Sequence, residues 1–577
     1  MPQLQINQGP QDALLYDNTR SYFTNVGYVR TSNFQMELRD VPSQNTAALG
    51  STVHYVIPKS ADLLGPVDLL VEFQQASDQK TDTNTTAGNW SAWVESLGYA
   101  MIDTMTFSVG SHDVETITGD QMNIINELMK GDQQRYGKLI GKTGRPAITA
   151  KPDTSPAVTG VAASGTVEAG NLVEKVDAHP STGWLLADNA TDRLISKDGT
   201  AQPGVKLTVP LSFFFTKHPS QYFPLCSIAG CNDVRITIKF RSLNELVVLG
   251  NVNYTGGVGQ NAGKQVVQKT STMATANGTE DPAVPKYGAN GAISDCKLRC
   301  HYVHVTGPEA TTLMNKEHVR LLKLWSHQPK TVSLIGGTAA TANAAAVPKK
   351  HVVDMDLSFL HPVQELIITI RKVKEMGSAV TTEHNLDDMN GGARRKNYFA
   401  YQGGGTDPNI ESELNKLHGT SDVDAISDTA ISNTLKVKSF ELSLNGQERH
   451  PSLAGKGIER DYLMDRLMPM LHSNTSTMFN DAHATDGGYD ASPTFAHLGE
   501  MLDRKEIYVY PFALNPEGAN PSGAVNFSKV SHAKLKITID AINHTSSNAG
   551  EEYVVDVYGV YFNWLQIKDG RALTSFA

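Results

Sequence analysis

Three stretches of the 577-residue chain carry residue types whose spacing could do chemistry. GKLIGKT (137–143) has the glycines, lysine and threonine of a phosphate-cradling loop. Such a loop needs G-x-x-x-x-G-K-[ST] between a strand and a helix, so that backbone amides wrap the anion. The spacer here is one residue short and no buried parallel strand precedes it, so nucleotide binding is not expected. CKLRCHYVH (296–304) offers Cys296, Cys300, His301 and His304, which on a helix would align two thiols and His304 for zinc. The segment runs into Tyr302, Val303 and Val305 and reads as a strand instead. There Cys296 and Cys300 share a face about 13 Å apart at 3.3 Å per residue, too far for one ion with Zn–S bonds near ~2.3 Å. They are expected to be buried structural thiols.

Cys226 and Cys231 are spaced for a local disulfide at most, and four cysteines in this length are not a disulfide framework. A thiol-reducing compartment of assembly fits better. His218, His361, His450 and His472 stand singly, mostly beside proline or in loops. No HExxH, nucleophile elbow or catalytic Cys/His setting is present, so neither catalysis, nor a cofactor, nor a metal is expected. Glycosylation sequons occur at Asn84, Asn89, Asn189, Asn253, Asn277, Asn474, Asn526 and Asn543, a number that mostly reflects a Thr- and Asn-rich composition.

With Lys+Arg 50 against Asp+Glu 60 the net charge is -10, which argues against wrapping nucleic acid unless basic residues cluster. The longest basic group, Arg394, Arg395 and Lys396, reads as a solvated loop. No run of about 18 apolar residues is present to span a bilayer as a helix. The opening MPQLQINQGPQDALLYDNTR lacks the basic and apolar regions of a secretory signal. At about 150 residues per domain the length alone suggests three to four domains.

The elements that would position any site are strands. VRITIKF (234–240) puts Val234, Ile236, Ile238 and Phe240 on one face and Arg235, Thr237 and Lys239 on the other, the period-2 pattern of a half-buried strand. KLKITID (534–540) nearly repeats it with Leu535, Ile537 and Ile539. Other strands answer one another in the same order. FQMEL, with Phe34, Met36 and Leu38 expected inward, is matched by the Leu322 and Leu324 strand. STVHYVIP (51–58) is matched by KHVVDMDLSF (350–359), and DLLVEF (68–73) by ELIITIRK (365–372). MTFSVG, with Met105, Phe107 and Val109, is matched by FELSLNG, with Phe440, Leu442 and Leu444. KLTVPLSFFF (206–215) is matched by EIYVYPFAL (506–514), and CKLRCHYVHV (296–305) by EYVVDVYGVYF (552–562).

Offsets vary from 288 (Phe34 to Leu322) to 335 (Phe107 to Leu442), so the strands are a duplicated frame and the loops between them vary freely. Residues 75–92, 143–204, 251–292, 376–434 and 473–498 read as long, weakly periodic loops. Residues 119–130, GDQMNIINELMK, read as a short helix capping a barrel end. The expectation is an all-β chain of two tandem eight-stranded antiparallel jelly rolls with long loops and short helices. Its parts are an N-terminal arm (1–22), a first roll (23–306), a linker (307–317) and a second roll (318–577).

The segment ALNPEGANPSGAVNFSKVSHAKLKI (513–537) resembles the signature of the major capsid proteins of nucleocytoplasmic large DNA viruses. The resemblance rests most on Asn515, Pro516, Pro521, Ser522, Gly523, Asn526, Phe527 and Ser528. ESLGYAMIDTMTFSVGSHDVE (95–115), FFFTKHPSQYFPLCSI (213–228), HPVQELIITIRK (361–372), LSLNGQERH (442–450) and TNVGYVRTSNFQMEL (24–38) agree with it. SFFFT stands where many relatives have a Trp-bearing PFWF.

The resemblance implies a homotrimer of double jelly rolls, six similar units with a near-hexagonal outline, tiling a large icosahedral shell. Long loops would project outward as towers, and heterologous contacts would join the first roll of one chain to the second of the next. It also implies minor capsid and penton proteins as partners, with contact to an inner membrane, if any, made through them, while the acidic balance argues against direct contact with nucleic acid. The location implied is the virion capsid, assembled in the host cytoplasm or a viral factory. Virus-encoded glycosylation would favour the tower positions Asn84, Asn89, Asn189, Asn253, Asn277 and Asn474. A secreted jelly-roll carbohydrate-binding or adhesion protein is the alternative reading, and would call for a signal peptide and exposed aromatic platforms. A cupin-type metalloenzyme would need His and Glu at inward strand positions that here are Val, Ile, Phe and Leu.

Overall fold

The computed structural model describes residues 33–76, 89–94, 96–129, 139–141, 194–197, 200–201, 203–251, 253–254, 265–266, 287, 291–334, 349–373, 399, 401, 437–448, 457–460, 462–472, 507–518, 520–542 and 551–575. Its first half contains β1 (Phe34–Pro42), β2 (Thr52–Ile57), β3 (Leu63–Phe73), β4 (Ile102–Val109), β5 (His112–Thr118), α1 (Gly119–Met129), β6 (Lys206–Pro210), β7 (Val234–Phe240) and β8 (Ile293–Val305). After α2 (Gly307–Asn315) come β9 (His318–Leu334), β10 (Lys349–Leu357), β11 (Pro362–Lys372), β12 (Val437–Leu444), β13 (Ile507–Pro511), β14 (Ala533–Ile542), β15 (Glu551–Lys568) and β16 (Arg571–Thr574).

The duplication read from the sequence is a duplication of sheet topology. In the first half the sheets run β1-β8-β3-β6 and β2-β7-β4-β5. In the second they run β9-β15-β11-β13 and β10-β14-β12, so each matched strand holds the same place. The match extends to short pieces. Phe223–Pro224 pairs with Leu63 and Leu64 of β3, and Val525–Asn526 pairs with Pro362 and Val363 of β11. A 3-10 turn follows in each case, Leu225–Ser227 and Phe527–Lys529. The loop before β7 and the loop before β14 are therefore counterparts. With these short pieces the described sheets have five and four strands in the first half, and six and five in the second. The two facing sheets of each half bury the alternating residues between them, the jelly-roll arrangement.

In β7, Val234, Ile236, Ile238 and Phe240 are buried, as are Leu535, Ile537 and Ile539 in β14. One expectation fails. Phe34, Met36 and Leu38 face outward, with exposures of 47%, 52% and 60%. β1 pairs only with β8 and ends its sheet, and Glu37 on its other side meets His304 at 2.9 Å. Alternation establishes that two faces differ and leaves open which one meets the core.

Two of the ranges read as loops also contain strands. Asn89–Trp93, at the end of 75–92, and Leu194–Lys197 and Thr200–Ala201, within 143–204, pair with Val247–Asn251 into a further small sheet, and Trp93, Ile195 and Val247 are buried. These strands are too short and too far apart in sequence to show a period.

The SFFFT stretch fills the first core. Phe107 of β4 lies with its ring centroid 4.9 Å from Phe215, 5.2 Å from Phe223, 5.9 Å from Phe213 and 6.0 Å from Phe214. All five are buried, and such tilted and edge-on pairs add to the area they remove from water. Phe107→Ala is expected to lower stability by about 3–5 kcal/mol, read as a shift in the denaturant midpoint. A loss under 1 kcal/mol would show that the cluster is loosely packed.

Candidate functional site

Among the described residues, no cluster of His, Cys, Asp and Glu that could hold a metal ion is present. Cys296 and Cys300 lie in β8, both buried. Burial raises the Cys296 thiol to about 11 and the Cys300 thiol to about 12, so both are neutral near pH 7, and Cys296 Sγ is hydrogen-bonded to Tyr55 Oη at 3.0 Å. Cys226 is half-buried and Cys231 exposed, both as free thiols. Of GKLIGKT only Leu139, Ile140 and Gly141 lie within the described residues. Among the sequons, Asn84, Asn189, Asn277, Asn474 and Asn543 lie outside them. Asn89 and Asn253 each begin a short strand. His450 also lies outside the described residues, as do Arg394, Arg395 and Lys396.

The chemistry that is present joins surfaces. α1 follows β5 as a helix, as expected from residues 119–130, and it meets the second half. Asp120 in its first turn lies 3.1 Å from Arg371 of β11. Arg371 also grips Asp556 of β15 with Nη2 at 2.6 Å and Nε at 3.1 Å, and His327 Nε2 is 2.8 Å from the other Asp556 oxygen. Arg241 of the first half completes the chain of charge, 3.8 Å from Asp120. Two guanidiniums thus face two carboxylates. Burial alone would lower the Arg371 pKa, but Asp120 and Asp556 hold it well above the usual arginine range. Burial would raise Asp556, yet Arg371 and His327 hold it below the usual carboxylate range. Nearby, Asn123 of α1 donates to Tyr401 Oη at 3.1 Å.

A second set of contacts closes the same junction. Ala229 N and Asn232 Nδ2 donate to Gly570 O at 3.0 and 2.8 Å, and Thr574 meets His112 at 3.2 Å. Ser227 donates to Leu313 O at 2.9 Å, and Arg320 of β9 donates to Tyr222 O. Gly570 has φ 76°, and a Cβ there would stand 2.4 Å from that of Ala229. Only glycine fits this turn.

The 513–530 segment is the counterpart of this docking loop. Ser522 Oγ accepts from Asn515 N at 2.9 Å and donates to Asn515 O at 3.0 Å, tying off the loop. Asn515 Oδ1 accepts from Gly518 N. Pro516 O receives Lys323 Nζ at 2.8 Å and Gln364 Nε2 at 3.2 Å. Gly523 adopts φ 141°, and a Cβ there would lie 2.8 Å from Phe512 O. Phe527 is buried against Phe359 and Phe512, both 6.0 Å away. Asn526 Oδ1 accepts from Ser528 N, and Ser528 Oγ accepts from His361 N at 2.9 Å. Asn515, Ser522, Gly523, Asn526, Phe527 and Ser528 thus fold the loop, while Pro521 and Leu514 stand on its exposed surface.

Two buried titratable groups lie beside these loops. His472 sits 3.2 Å from Glu365 and 3.5 Å from Glu517. Burial would lower its pKa, but the two carboxylates raise it to about 9. Glu115, accepting from Phe214 N at 2.8 Å, is pushed by burial up to about 7.

Arg371→Ala leaves Asp556 and Asp120 without their shared cation and is expected to cost about 3–5 kcal/mol in denaturant unfolding. A smaller loss than that of an exposed-pair variant such as Lys206→Ala would refute the role given to the cluster. For His472 the folded pKa lies above the unfolded 6.5. Its contribution is therefore complete below about pH 6.5 and lost as pH rises through about 9. His472→Gln should flatten the fall in melting temperature across that window, and an unchanged slope would contradict the assignment.

Two family models match the chain. "Major capsid protein N-terminus" covers residues 21–285 and "Large eukaryotic DNA virus major capsid protein" covers 485–572, together more than half of its length. The major capsid protein of Phaeocystis pouchetii virus is 21% identical over 97% of this chain and 96% of its own. That of Chrysochromulina ericina virus is 21% identical over 97% of each. Among solved structures, the PBCV-1 virus capsid protein superposes with a TM-score of 0.55 at 15% identity, over 96% of this chain and all of the other. The Faustovirus major capsid protein superposes with 0.54 at 13%, over 95% and 93%. The structures show the double jelly-roll fold, and the family models and sequence relatives show that the chain belongs to the major capsid proteins of large eukaryotic DNA viruses.

Proposed function

We propose that this chain is the self-assembling building block of an icosahedral shell, working as a homotrimer in which three chains present six like units. One observation carries the reading: seven strands recur in the same sheet order in both halves. A chain that is nearly two copies of one unit gives near-hexagonal packing at three-fold symmetry, while each half keeps its own contacts. On this reading residues 1–22 are an arm, 23–306 the first roll, 307–317 a linker and 318–577 the second roll.

The residues Asn515, Pro516, Pro521, Ser522, Gly523, Asn526, Phe527 and Ser528 would shape a contact surface between neighbours. The outward loops, with Asn84, Asn89, Asn189, Asn253, Asn277 and Asn474, would carry any glycans. Minor capsid and penton proteins are the further partners, with an inner membrane reached only through them and the genome not touched. Assembly would take place in the host cytoplasm or a viral factory.

Purified full-length protein should sediment as three chains of 62.5 kDa, about 187 kDa for a closed trimer, without nucleic acid. A stable monomer under every assembly condition would refute the proposal. Replacing Pro521 and Gly523 should disrupt assembly more than trimming residues 160–180, and equal tolerance at both would place the contact surface elsewhere.

A further inference from the structure

The register of the two halves matches single positions. Tyr302 stands opposite Leu64, itself opposite Phe223, and Tyr561 stands opposite Val363, itself opposite Val525. Counting three residues on, Val305 faces Phe34 and Trp564 faces Leu321. Phe34, Met36 and Leu38 of β1 are therefore the counterparts of Leu321, Lys323 and Trp325 of β9, one residue off the match to Leu322 and Leu324 that the sequence suggests.

The two sets differ in what covers them. On β9, Phe214–Thr216 of the first half lie against the strand, and Trp325 is buried at 9% exposure. Lys323 is half-buried; burial, and secondarily Lys217 of the same first-half loop, lower its pKa to about 8. On β1 the counterparts form an apolar strip open to solvent. The second half carries the counterpart of the covering loop, and Leu514 projects from it at 86% exposure. Tyr462 and Met470, in the segment that follows the second half's β12 as α1 follows β4 and β5, are also exposed.

We infer that the strip Phe34, Met36 and Leu38 of one copy is the seat for the 512–530 loop of a second copy, with Leu514 as its apolar anchor. The contact repeats between chains the junction already made within one chain. Covering three large apolar side chains on a strand and one on a loop removes surface whose exposure is unfavourable. It also fits the apolar character of the first-half strip where the second half has Lys323, whose ammonium donates to Pro516 O and Gly518 O in the loop of its own half. The inference rests on the trimer reading and names its interface.

The test uses full-length protein with Met36→Asp and Leu514→Asp, singly, and the charge pair Met36→Lys with Leu514→Asp. Each single variant should need at least about tenfold more protein for half-assembly, with the melting temperature of the monomer unchanged. The charge pair should recover part of that loss. Wild-type trimers together with unaffected single variants would overturn the docking and leave the trimer standing. A Met36→Asp protein that assembles normally but melts lower would show that the chain's own residues cover the strip, and would also overturn it. Wild-type protein that never assembles would remove both readings.

Discussion

The structure depends on one arginine. Arg371 lies near the end of an interior strand with its side chain on the face turned away from its own core, where Ile367, Thr369, Ile507, Val509 and Tyr558 are also buried. A guanidinium there is tolerable only with its charge met and its donors satisfied. Asp556 meets it from the next strand, and Asp120 meets it from the other half of the chain. Without the first half in place, that face would lose one of the two carboxylates beside its arginine. The halves are thus two rolls with separate cores and a shared electrostatic requirement, which fixes how one sits on the other more strictly than apolar contact alone would.

Much of this arrangement is legible in the chain. VRITIKF and KLKITID show their faces by period two, and the shared order of seven strands reproduces the neighbours in all four main sheets. The orientation of β1 is not legible, because Phe34, Met36 and Leu38 alternate as well when pointing outward as inward. The junction is hidden in the sequence for a related reason. ELIITIRK and EYVVDVYGVYF are nearly continuous apolar runs, the mark of strands buried on both faces. Arg371 and Asp556 are the charges that interrupt them. Read together, those interruptions are the available signal that a second surface covers the sheet.

The family signature has a different physical content from what its conspicuous residues suggest. Pro521 and Gly523 draw the eye, yet Ser522 closes the loop by bonding both backbone groups of Asn515, and Phe527 pins it to the core. A loop held this firmly presents a fixed outline in spite of its exposed position. Its first-half counterpart, anchored at Phe213–Phe215 and Phe223, does so by aromatic packing.

The pairing of β1 with β8 has a consequence in time. Phe34 waits for Val305, about 270 residues later, roughly 15–55 s at ribosomal rates of about 5–20 residues per second. The second roll repeats the delay, since His318 is opposite Ile567. The first roll can therefore close while the second is still being made, and Asp556 is translated 185 residues after Arg371. The ionic junction can form only once both rolls have largely been made, so a product that stops before Asp556 has one finished roll and an arginine that lacks one of its partners. Synthesis itself separates complete building blocks from incomplete ones before any of them meets a neighbour.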